Sequence, residues 1–351
     1  MTDQIGLGLV GAGQIAYSTA DAINRHSSAR VVAATDTHPG RLAALCEAKS
    51  IEHACPSFEA LLDNKAVDGI YIAVPNKFHA SLAIQALEAG KHVLLEKPFA
   101  MNYAEAQAVV DTAVKSGKIF TVGMNQRFNE NHQKIRTLVQ EGVLGDIYHA
   151  KAFWMRRAGI PTLGTWFGKK DLAGGGCIND IGVHFLDLCL YTIDNFSPVS
   201  VSASTYTRFG NRGLGGGSWG ISDKTENTFD VEDFASALIK FENGLSVVLD
   251  ASWACHQETP NRMGVLLYGD EAGADVATAK VFRSDPLREE YDVIEKVRAV
   301  PRYAHCCRFA NFINSIRGEE EPCATHHQAL VIQKILDGIQ ESSRTGNEVK
   351  L

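Results

Sequence analysis

A glycine-rich turn near the start of the chain constrains the fold more than any other feature. The apolar run 5–10 predicts a buried strand, and it leads into Gly11-x-Gly13-x-x-Ala16, from which a helical pattern continues. Glycines there allow a tight turn and a close approach of the backbone to a pyrophosphate at the helix N-terminus. A second apolar run ends at Asp36, twenty-five residues after Gly11. This combination predicts a dinucleotide-binding site; the alternative is a tight turn without a ligand.

The carboxylate of Asp36 favours NAD over NADP as the dinucleotide. It would accept hydrogen bonds from the adenine ribose hydroxyls and would repel a 2′-phosphate. Arg41 follows Pro39-Gly40 closely enough to face the ribose as well. NAD is therefore the predicted cofactor, and NADP is the alternative.

Strand and helix patterns alternate through the N-terminal third of the chain. Apolar runs at 69–74, 92–96 and 119–122 predict further strands, with a helix at about 80–89 between the first two and another after the capping-box pattern of Asn102 and Glu105. Such alternation indicates a doubly wound parallel sheet of the Rossmann type. We assign residues 1–123 to this dinucleotide-binding domain.

The pattern changes after residue 123. Alternating runs predict strands at about 146–155, 199–207, 231–241, 245–253 and 263–268, and Asn243-Gly244 suits a tight hairpin turn. We therefore expect residues 124–351 to form a C-terminal α+β domain with a large, mostly antiparallel open sheet. Substrate binding and oligomerisation are assigned to this domain.

Charge and composition restrict the class of protein. The net charge of −7 has the wrong sign for a protein that neutralises nucleic-acid phosphates. No apolar run reaches the about eighteen residues of a membrane span, so we expect a cytoplasmic chain. The eight cysteines show no CxxC pairing or metal-ligand spacing, which predicts reduced thiols and no metal site. A small molecule is the expected partner, with neither nucleic acid nor membrane.

Three charged residues are candidates for catalysis. Lys97 follows the predicted strand 92–96, at the edge where open α/β sheets bind ligands. The alternative for Lys97 is a solvated loop lysine. Asp180 and His184 are four residues apart on a helix predicted at about 178–191 and share one face, although a structural or solvated pair would have the same spacing.

Aromatic and basic residues near the end of predicted strand 146–155 are candidates for substrate contacts. They are Trp154, Arg156 and Arg157, with Trp166 shortly after. Aromatic rings stack on sugar faces, and guanidinium groups bind hydroxyls or carboxylates. The alternative is that these side chains face a core or a dimer partner. The glycine-rich segment 209–220 lacks the P-loop sequence and suggests a mobile loop near the site or an oligomer contact.

The order and spacing of several motifs resemble the glucose–fructose oxidoreductase/inositol dehydrogenase (Gfo/Idh/MocA) family of sugar and cyclitol oxidoreductases. The resemblance covers essentially the whole chain. It rests on Gly11 to Ala16, Pro75-Asn76-x-x-His79, Glu96-Lys97-Pro98, Asn125-x-Arg127-Phe128, the Gly142 to Gly145 turn, Gly174 to Asp187, and Glu341-Ser-x-x-x-Gly346-x-x-Val349. One departure is Cys177-Ile178, where many members have Pro-Leu; it affects the start of a helix and none of the reacting groups.

The resemblance implies hydride transfer between a nicotinamide and a secondary alcohol of a sugar, sugar derivative or cyclitol. It assigns His184 as general acid/base, because an imidazole with a pKa of about 6.5 can accept the alcohol proton. Lys97 would stabilise the developing alkoxide, and Asp180 would orient the imidazole or a sugar hydroxyl. A cis peptide before Pro98 is also implied.

The turn, the strand ends and the resemblance together give the expected binding residues. Those expected to bind the cofactor are Gly11, Gly13, Gln14, Ile15, Asp36, Arg41, Val74, Pro75, Asn76, His79, Glu96, Lys97 and Asn125. Those expected to bind the substrate are Lys97, Arg127, Trp154, Arg156, Arg157, Trp166, Asp180 and His184. We also expect a homodimer or homotetramer assembled through the C-terminal sheet.

Two other functions stay open on the sequence. One is an NAD-dependent glycosidase that oxidises a sugar carbon transiently and consumes no NAD. Net NADH formation from a free sugar would separate a dehydrogenase from it. The other is a non-catalytic NAD-sensing regulator, which predicts loss of the acid/base pair, whereas Lys97, Asp180 and His184 are all present.

Overall fold

The N-terminal part of the chain forms a six-stranded parallel sheet in the order β3-β2-β1-β4-β5-β6. A computed structural model describes residues 4–220, 228–285, 290–294 and 297–351. The strands are β1 (Ile5–Val10), β2 (Ala29–Thr35), β3 (His53–Ala54), β4 (Gly69–Ile72), β5 (His92–Leu95) and β6 (Phe120–Val122). This order confirms the predicted Rossmann-type sheet. Its strand order reverses between β1 and β4, which is where such sheets bind ligands.

Helices connect these parallel strands. They are α1 (Gln14–Asn24), α2 (Pro39–Lys49), α3 (Phe58–Leu62), α4 (His79–Glu88) and α5 (Tyr103–Ser116). The start of α5 is fixed as the sequence predicts, because the Asn102 side chain accepts a hydrogen bond from the Glu105 N–H at 3.0 Å. Its end is set by Gly117 in the left-handed conformation, with φ of 65°.

A nine-stranded sheet follows, within the part of the chain after residue 123 that the structure describes. Its strands are β7 (Ile147–Arg156), β8 (Pro198–Tyr206), β9 (Phe234–Phe241), β10 (Ser246–Ser252), β11 (Asn261–Gly269), β12 (Gly273–Asp275), β13 (Lys280–Asp285), β14 (Glu290–Ile294) and β15 (Val349–Lys350). The order is β14-β13-β12-β11-β7-β10-β9-β8-β15, and among the described strands of this second sheet only β7 and β10 pair in parallel. The predicted mostly antiparallel sheet is confirmed. The short strands β12 to β14 were not predicted.

Five more helices follow in the described part of the chain after residue 123. They are α6 (Glu130–Gln140), α7 (Lys170–Ala173), α8 (Val183–Ile193), α9 (Arg308–Ile316) and α10 (His326–Thr345). Helix α8 lies on β7, whereas α10 lies between β8 of the second sheet and α5 of the first domain. A continuous apolar core therefore joins the two parts of the molecule. Among the described residues, no helix has the length and apolarity to cross a membrane.

Helix α9 packs on the first sheet, although it lies in the range assigned to the second domain. Its Phe309, Phe312 and Ile313 are buried in one cluster with residues of β1, α1 and β4. The ring of Phe309 meets that of Tyr71 edge-on, with centroids 5.4 Å apart. A division at residue 123 therefore leaves out part of the first core. An apolar helix face in the sequence indicates that a helix packs, but not on which sheet it does so.

Candidate functional site

A cleft of about 1190 Å³ opens at the carboxyl edge of the first sheet, and both parts of the molecule line it. The residues that follow β1, β4 and β5 form one wall. Residues from β7, from the segment before α8 and from the loop 209–220 form the other. Pockets for a single small molecule are about 300–1,000 Å³. This cleft has room for a dinucleotide and a second ligand.

The structure brings nearly all of the predicted site residues to this cleft. Every residue expected to bind the cofactor lines it. Trp154, Arg156, Trp166, Asp180 and His184 line it as well. Arg127 and Arg157 lie elsewhere.

The glycine turn has the geometry that a dinucleotide requires. Gly11 has φ of +101°, and a Cβ there would lie 2.4 Å from the carbonyl oxygen of Ala73, so only glycine fits. A Cβ built on Gly13 would meet no atom within 4 Å, so the space in front of α1 is open. Among the residues that the structure describes, no side chain caps the N-terminus of α1, which leaves its first N–H groups for an anion.

Asp36 is held in place at the same end of the cleft. One carboxylate oxygen accepts a hydrogen bond from the Ala12 N–H and the other from the His38 N–H, each at 2.7 Å. The guanidinium of Arg41 lies 3.4 Å from the second oxygen. The carboxylate thus anchors the glycine turn and faces the position expected for the adenine ribose. The residues fit a bound dinucleotide.

Apolar residues that the sequence reading missed surround this end of the cleft. They are Pro56, Phe58, Phe78 and Leu82. Pro56 and Phe58 lie just before and at the start of α3, Phe78 lies in the turn before α4, and Leu82 lies within α4. Only Phe78 falls inside a motif noted in the sequence, Pro75-Asn76-x-x-His79.

Lys97 and Asp180 form a buried ion pair at the centre of the cleft. The Lys97 ammonium donates to a carboxylate oxygen and to the carbonyl oxygen of Asp180, both at 2.8 Å. The other carboxylate oxygen accepts a hydrogen bond from the indole of Trp253 at 2.8 Å. Burial alone would raise the pKa of Asp180, but Lys97 and the indole lower it below its ordinary value. The peptide between Lys97 and Pro98 is cis, as implied by the resemblance.

His184 lies one helical turn after Asp180, where a π-helical turn (Ile178–Gly182) continues into α8. Its Nδ1 is buried and has no hydrogen-bond partner among the described residues. The ring of Trp154 faces it, with centroids 6.0 Å apart. Burial and the positive charge of Lys97 hold the pKa of His184 well below its ordinary value. The imidazole is therefore neutral at pH 7 and able to accept a proton.

Glu232 positions the backbone that carries this pair, from just outside the cleft. One of its carboxylate oxygens accepts hydrogen bonds from the Gly176 N–H at 2.7 Å and the Ile178 N–H at 3.2 Å. A Cβ on Gly176 would lie 1.9 Å from the carbonyl oxygen of Glu232, so the glycine permits this contact. Burial raises the pKa of Glu232. The sequence reading missed this residue because it lies more than fifty positions away.

Glu96 lines the cleft, but its carboxylate bonds to other protein groups. It accepts a hydrogen bond from the Tyr71 hydroxyl, forms an ion pair with Arg308, and accepts from the Lys97 N–H at 3.2 Å. Burial raises its pKa, and the Arg308 charge with the Tyr71 bond more than offsets this. Arg308 also donates to the carbonyl oxygen of Gly123 at 2.8 Å. Glu96 thus anchors the loop that presents Lys97.

Two polar side chains after β4 shape the cleft in a similar way. The ring nitrogens of His79 lie 2.8 Å from the carbonyl oxygen of Pro98 and 3.0 Å from that of Val74. The Asn76 amide donates to the carbonyl oxygen of Ala173 at 2.8 Å. His79 ties two loops of the first sheet together, and Asn76 ties that sheet to the second part of the molecule.

The structure corrects the expected substrate contacts of Arg127 and Arg157. Arg127 is fully buried outside the cleft, where its Nε donates to Asp187 at 2.9 Å and its Nη1 to the carbonyl oxygen of Cys323 at 2.7 Å. Its guanidinium has no face left for a substrate. Arg157 is exposed and donates to the carbonyl oxygen of Glu258 at 3.2 Å. Arg156 is the last residue of β7 and lines the cleft, whereas Arg157 lies beyond the strand and does not.

The second wall of the cleft combines aromatic and basic groups. The Arg156 guanidinium lies 4.4 Å from the centroid of the Trp154 ring, and the Trp154 indole donates to Asn261 at 2.8 Å. The loop 209–220 reaches the cleft through its last residues, 217–220. It is joined to the segment that follows β7, where the Gly217 N–H donates to the carbonyl oxygen of Ile160 at 2.7 Å.

Comparisons with known proteins agree with this arrangement. Residues 5–124 match the model of an oxidoreductase family with an NAD-binding Rossmann fold, and residues 132–274 match the C-terminal domain of the same GFO/IDH/MocA family. The expected NAD-binding Rossmann domain is thereby confirmed.

Similar proteins align over most of the chain. D-glucoside 3-dehydrogenase of Escherichia coli is 32% identical over 346 residues, which cover 98% of this chain and 96% of that protein. A solved NAD-binding protein from Listeria innocua is 25% identical, with a TM-score of 0.81 over 99% of this chain and 97% of that one. A solved levoglucosan dehydrogenase in complex with NADH and levoglucosan has a TM-score of 0.83 at 20% identity, and covers 99% of both chains.

The two matching models cover both parts of the molecule, and the Escherichia coli relative extends over nearly the whole length. The predicted resemblance is therefore confirmed, and the chain belongs to the Gfo/Idh/MocA family of oxidoreductases.

Proposed function

We propose that the protein is an NAD-dependent dehydrogenase that oxidises a secondary alcohol of a sugar, sugar derivative or cyclitol. The observation that carries the proposal is the placement of a neutral imidazole, His184, beside the buried pair of Lys97 and Asp180 in the same cleft as the glycine turn. The family match and the dehydrogenase relative support the same reaction class.

Each of the side chains at the site has a separate role in the oxidation of an alcohol. A bound nicotinamide supplies the acceptor for the hydride. The imidazole of His184 takes the hydroxyl proton, and its lowered pKa keeps it unprotonated for that step. The ammonium of Lys97 stabilises negative charge that develops on the oxygen, at a place where burial strengthens the interaction. Asp180 fixes that ammonium, and Trp253 fixes Asp180.

The choice of NAD over NADP rests on Asp36. Its carboxylate already accepts two backbone hydrogen bonds, so it cannot turn away from a 2′-phosphate without releasing the glycine turn. Such a phosphate would face a fixed negative charge. Arg41 offsets part of that charge, from 3.4 Å.

The test is an assay of sugars, inositols and methyl glycosides with NAD and with NADP, with reduction of the cofactor followed by absorbance. We expect net NADH formation, and higher kcat/KM with NAD than with NADP. His184→Ala should lower kcat/KM at least about 100-fold, the usual contribution of general acid/base catalysis. Lys97→Met should have a loss of similar size.

Two exposed residues outside the cleft provide matched controls. His53→Ala and Lys65→Met should keep the activity of the unmodified protein. NADH fluorescence would show that all four variants still bind the dinucleotide. Unchanged kcat/KM in His184→Ala would refute the assignment of the base. Product release from a glycoside without net NADH would favour the glycosidase.

A further inference from the structure

Three aromatic side chains line the cleft where the end of the loop 209–220 meets the turn before α7. We call Trp166, Phe167 and Trp219 the aromatic mouth. The rings of Trp166 and Phe167 stack with centroids 3.9 Å apart, and Phe167 lies 5.2 Å from Trp219. All three line the same cleft as His184. Neither the dinucleotide turn nor the acid/base pair uses them.

A continuous series of contacts leads from His184 to the aromatic mouth. The Trp154 ring lies next to His184, and Arg156 covers that ring. Arg156 donates to the carbonyl oxygen of Gly159 at 3.3 Å. A Cβ on Gly217 would be 3.1 Å from the Cα of Gly159, so the loop that carries Trp219 lies directly against this stretch. The mouth thus continues the substrate wall beyond the reacting position.

The backbone of Trp219 is fixed, whereas its side chain is open. Thr162 donates to the carbonyl oxygen of Trp219 from its N–H at 2.7 Å and from its hydroxyl at 3.0 Å. Gly220, with φ of +88°, allows the chain to pass the Phe167 ring, from which a Cβ would be 3.2 Å away. The Trp219 residue is nevertheless 45% exposed. A pre-positioned, exposed indole in a concave site is typical of a ligand contact.

The carboxylates around the cleft argue against a cationic group as that ligand. The carboxylates that line the described part of the cleft are those of Asp36, Glu96 and Asp180. Each already has its own hydrogen bonds or ion pair. None is therefore free to draw a cationic group to the mouth. Sugar and aryl rings bind aromatic faces without requiring charge.

We propose that the aromatic mouth is a subsite for a second ring of the substrate, and that the substrate class is a glycoside. The sugar to be oxidised lies at His184, and the aglycone or second sugar lies against Phe167 and Trp219. This inference rests on the proposed dehydrogenase function, and it extends that proposal to a substrate of more than one ring.

The test compares methyl glycosides with 4-nitrophenyl glycosides of the same sugars, for glucose, galactose and xylose in both anomers. We expect kcat/KM to be at least tenfold higher for the best 4-nitrophenyl glycoside than for its methyl counterpart. Trp219→Ala should remove most of this preference through a higher KM, because the contact lies away from the reacting atoms. Trp219→Phe should retain much of it.

Leu214→Ala is the matched control. Leu214 belongs to the same loop and is 45% exposed, but does not line the cleft, so this variant should keep the preference. Equal kcat/KM for the methyl and 4-nitrophenyl series would overturn the inference, as would a Trp219→Ala variant that keeps the preference. Oxidation of free sugars or inositols but of no glycoside would overturn it and leave the dehydrogenase proposal standing. If no compound of either assay reduced the cofactor, both proposals would fail.

Discussion

At the scale of single residues, one cation acts on both partners in the proposed acid/base site. Burial and Lys97 lower the pKa of His184, and Lys97 lowers that of Asp180 against the effect of burial. For a carboxyl group this preserves the charged form, whereas for an imidazole it preserves the neutral form. The two side chains, one helical turn apart, are thus an anion and a free base at neutral pH.

The pH dependence of alcohol oxidation should show this effect. With the His184 pKa well below 6.5, kcat/KM should stay level from pH 8 down to 6.5 and decline only at lower pH, as the imidazole gains a proton. Removing the cation in Lys97→Met should raise the pKa of His184 and move the decline to higher pH. The shift in the His184 pKa can be measured from the pH profile of the residual activity of Lys97→Met and from an NMR titration of the imidazole. A decline centred above pH 6.5 in the unmodified protein would contradict this assignment.

The sequence predicted the location of the proposed reacting residues better than that of the residues that support them. Lys97, Asp180 and His184 lie in short motifs, where spacing along the chain reports proximity. Trp253 and Arg308 come from distant segments, and only the packed fold brings them to Asp180 and Glu96. For Glu96 the motif indicated the right location, but could not show that Tyr71 and Arg308 occupy its carboxylate.

At the scale of elements, the segment before α8 is shaped by a contact from outside it. The sequence predicted a helix at about 178–191, and the structure has a π-helical turn followed by α8. The N–H groups at the start of this turn donate to the carboxylate of Glu232. Hydrophobic periodicity cannot predict such a turn, because its first hydrogen bonds are made to Glu232, which is more than fifty positions away in the sequence.

Glu232→Gln should therefore impair catalysis although the residue does not line the cleft. The amide keeps the shape of the side chain but weakens two hydrogen bonds that the charged acceptor receives. We therefore expect the activation free energy to rise by about 1–3 kcal/mol, which lowers kcat roughly 5- to 150-fold. KM and NADH binding should change little. The pH at which activity declines should shift, because the backbone that Glu232 holds carries both Asp180 and His184. Steady-state kinetics across pH measures these effects.

The exposed Glu258 offers the control for this substitution. Glu258→Gln makes the same chemical change outside the cleft and should leave the kinetic parameters unaltered. A purely structural role for Glu232 would instead lower thermal stability and leave kcat per folded molecule and its pH profile unchanged. That result would contradict the positioning role.

At the scale of the whole molecule, a buried ion pair replaces the substrate contact expected of Arg127. The pair of Arg127 and Asp187 links the turn after β6 to α8, and both side chains are excluded from water. A charge left alone in such a place is costly, because the low-dielectric surroundings cannot solvate it. The pair thus helps to hold the turn after β6 against α8.

Arg127→Met should lower the free energy of unfolding by about 3–5 kcal/mol, since it leaves the carboxylate of Asp187 buried and unpaired. The contrast is Arg30→Met, which removes an exposed pair with Glu52 at 4.0 Å and should cost less than about 1 kcal/mol. Urea denaturation followed by circular dichroism measures both. Equal losses in the two variants would contradict the structural role of Arg127.

The layout of the two sheets was predictable from the sequence. The late return of the chain, in which α9 packs on the first sheet, was not. The βα alternation and the later strand runs define each sheet through local patterns. Helix α9 has an equally clear apolar face, but its partners on β1 and β4 are hundreds of residues earlier. Nothing local distinguishes packing on the first sheet from packing on the second.

That return has a consequence for the order in which the protein can be completed during synthesis. Tyr71 and Leu94 share a buried cluster with Phe309 and Phe312, and the carboxylate of Glu96 is paired with Arg308. The cofactor-binding part therefore cannot finish its core until α9 has left the ribosome, roughly 190 residues after β6 and about 10–40 s later at common translation rates. Until then the nascent first domain exposes an apolar face and an unpaired acid, so dinucleotide binding should be acquired only near the end of translation.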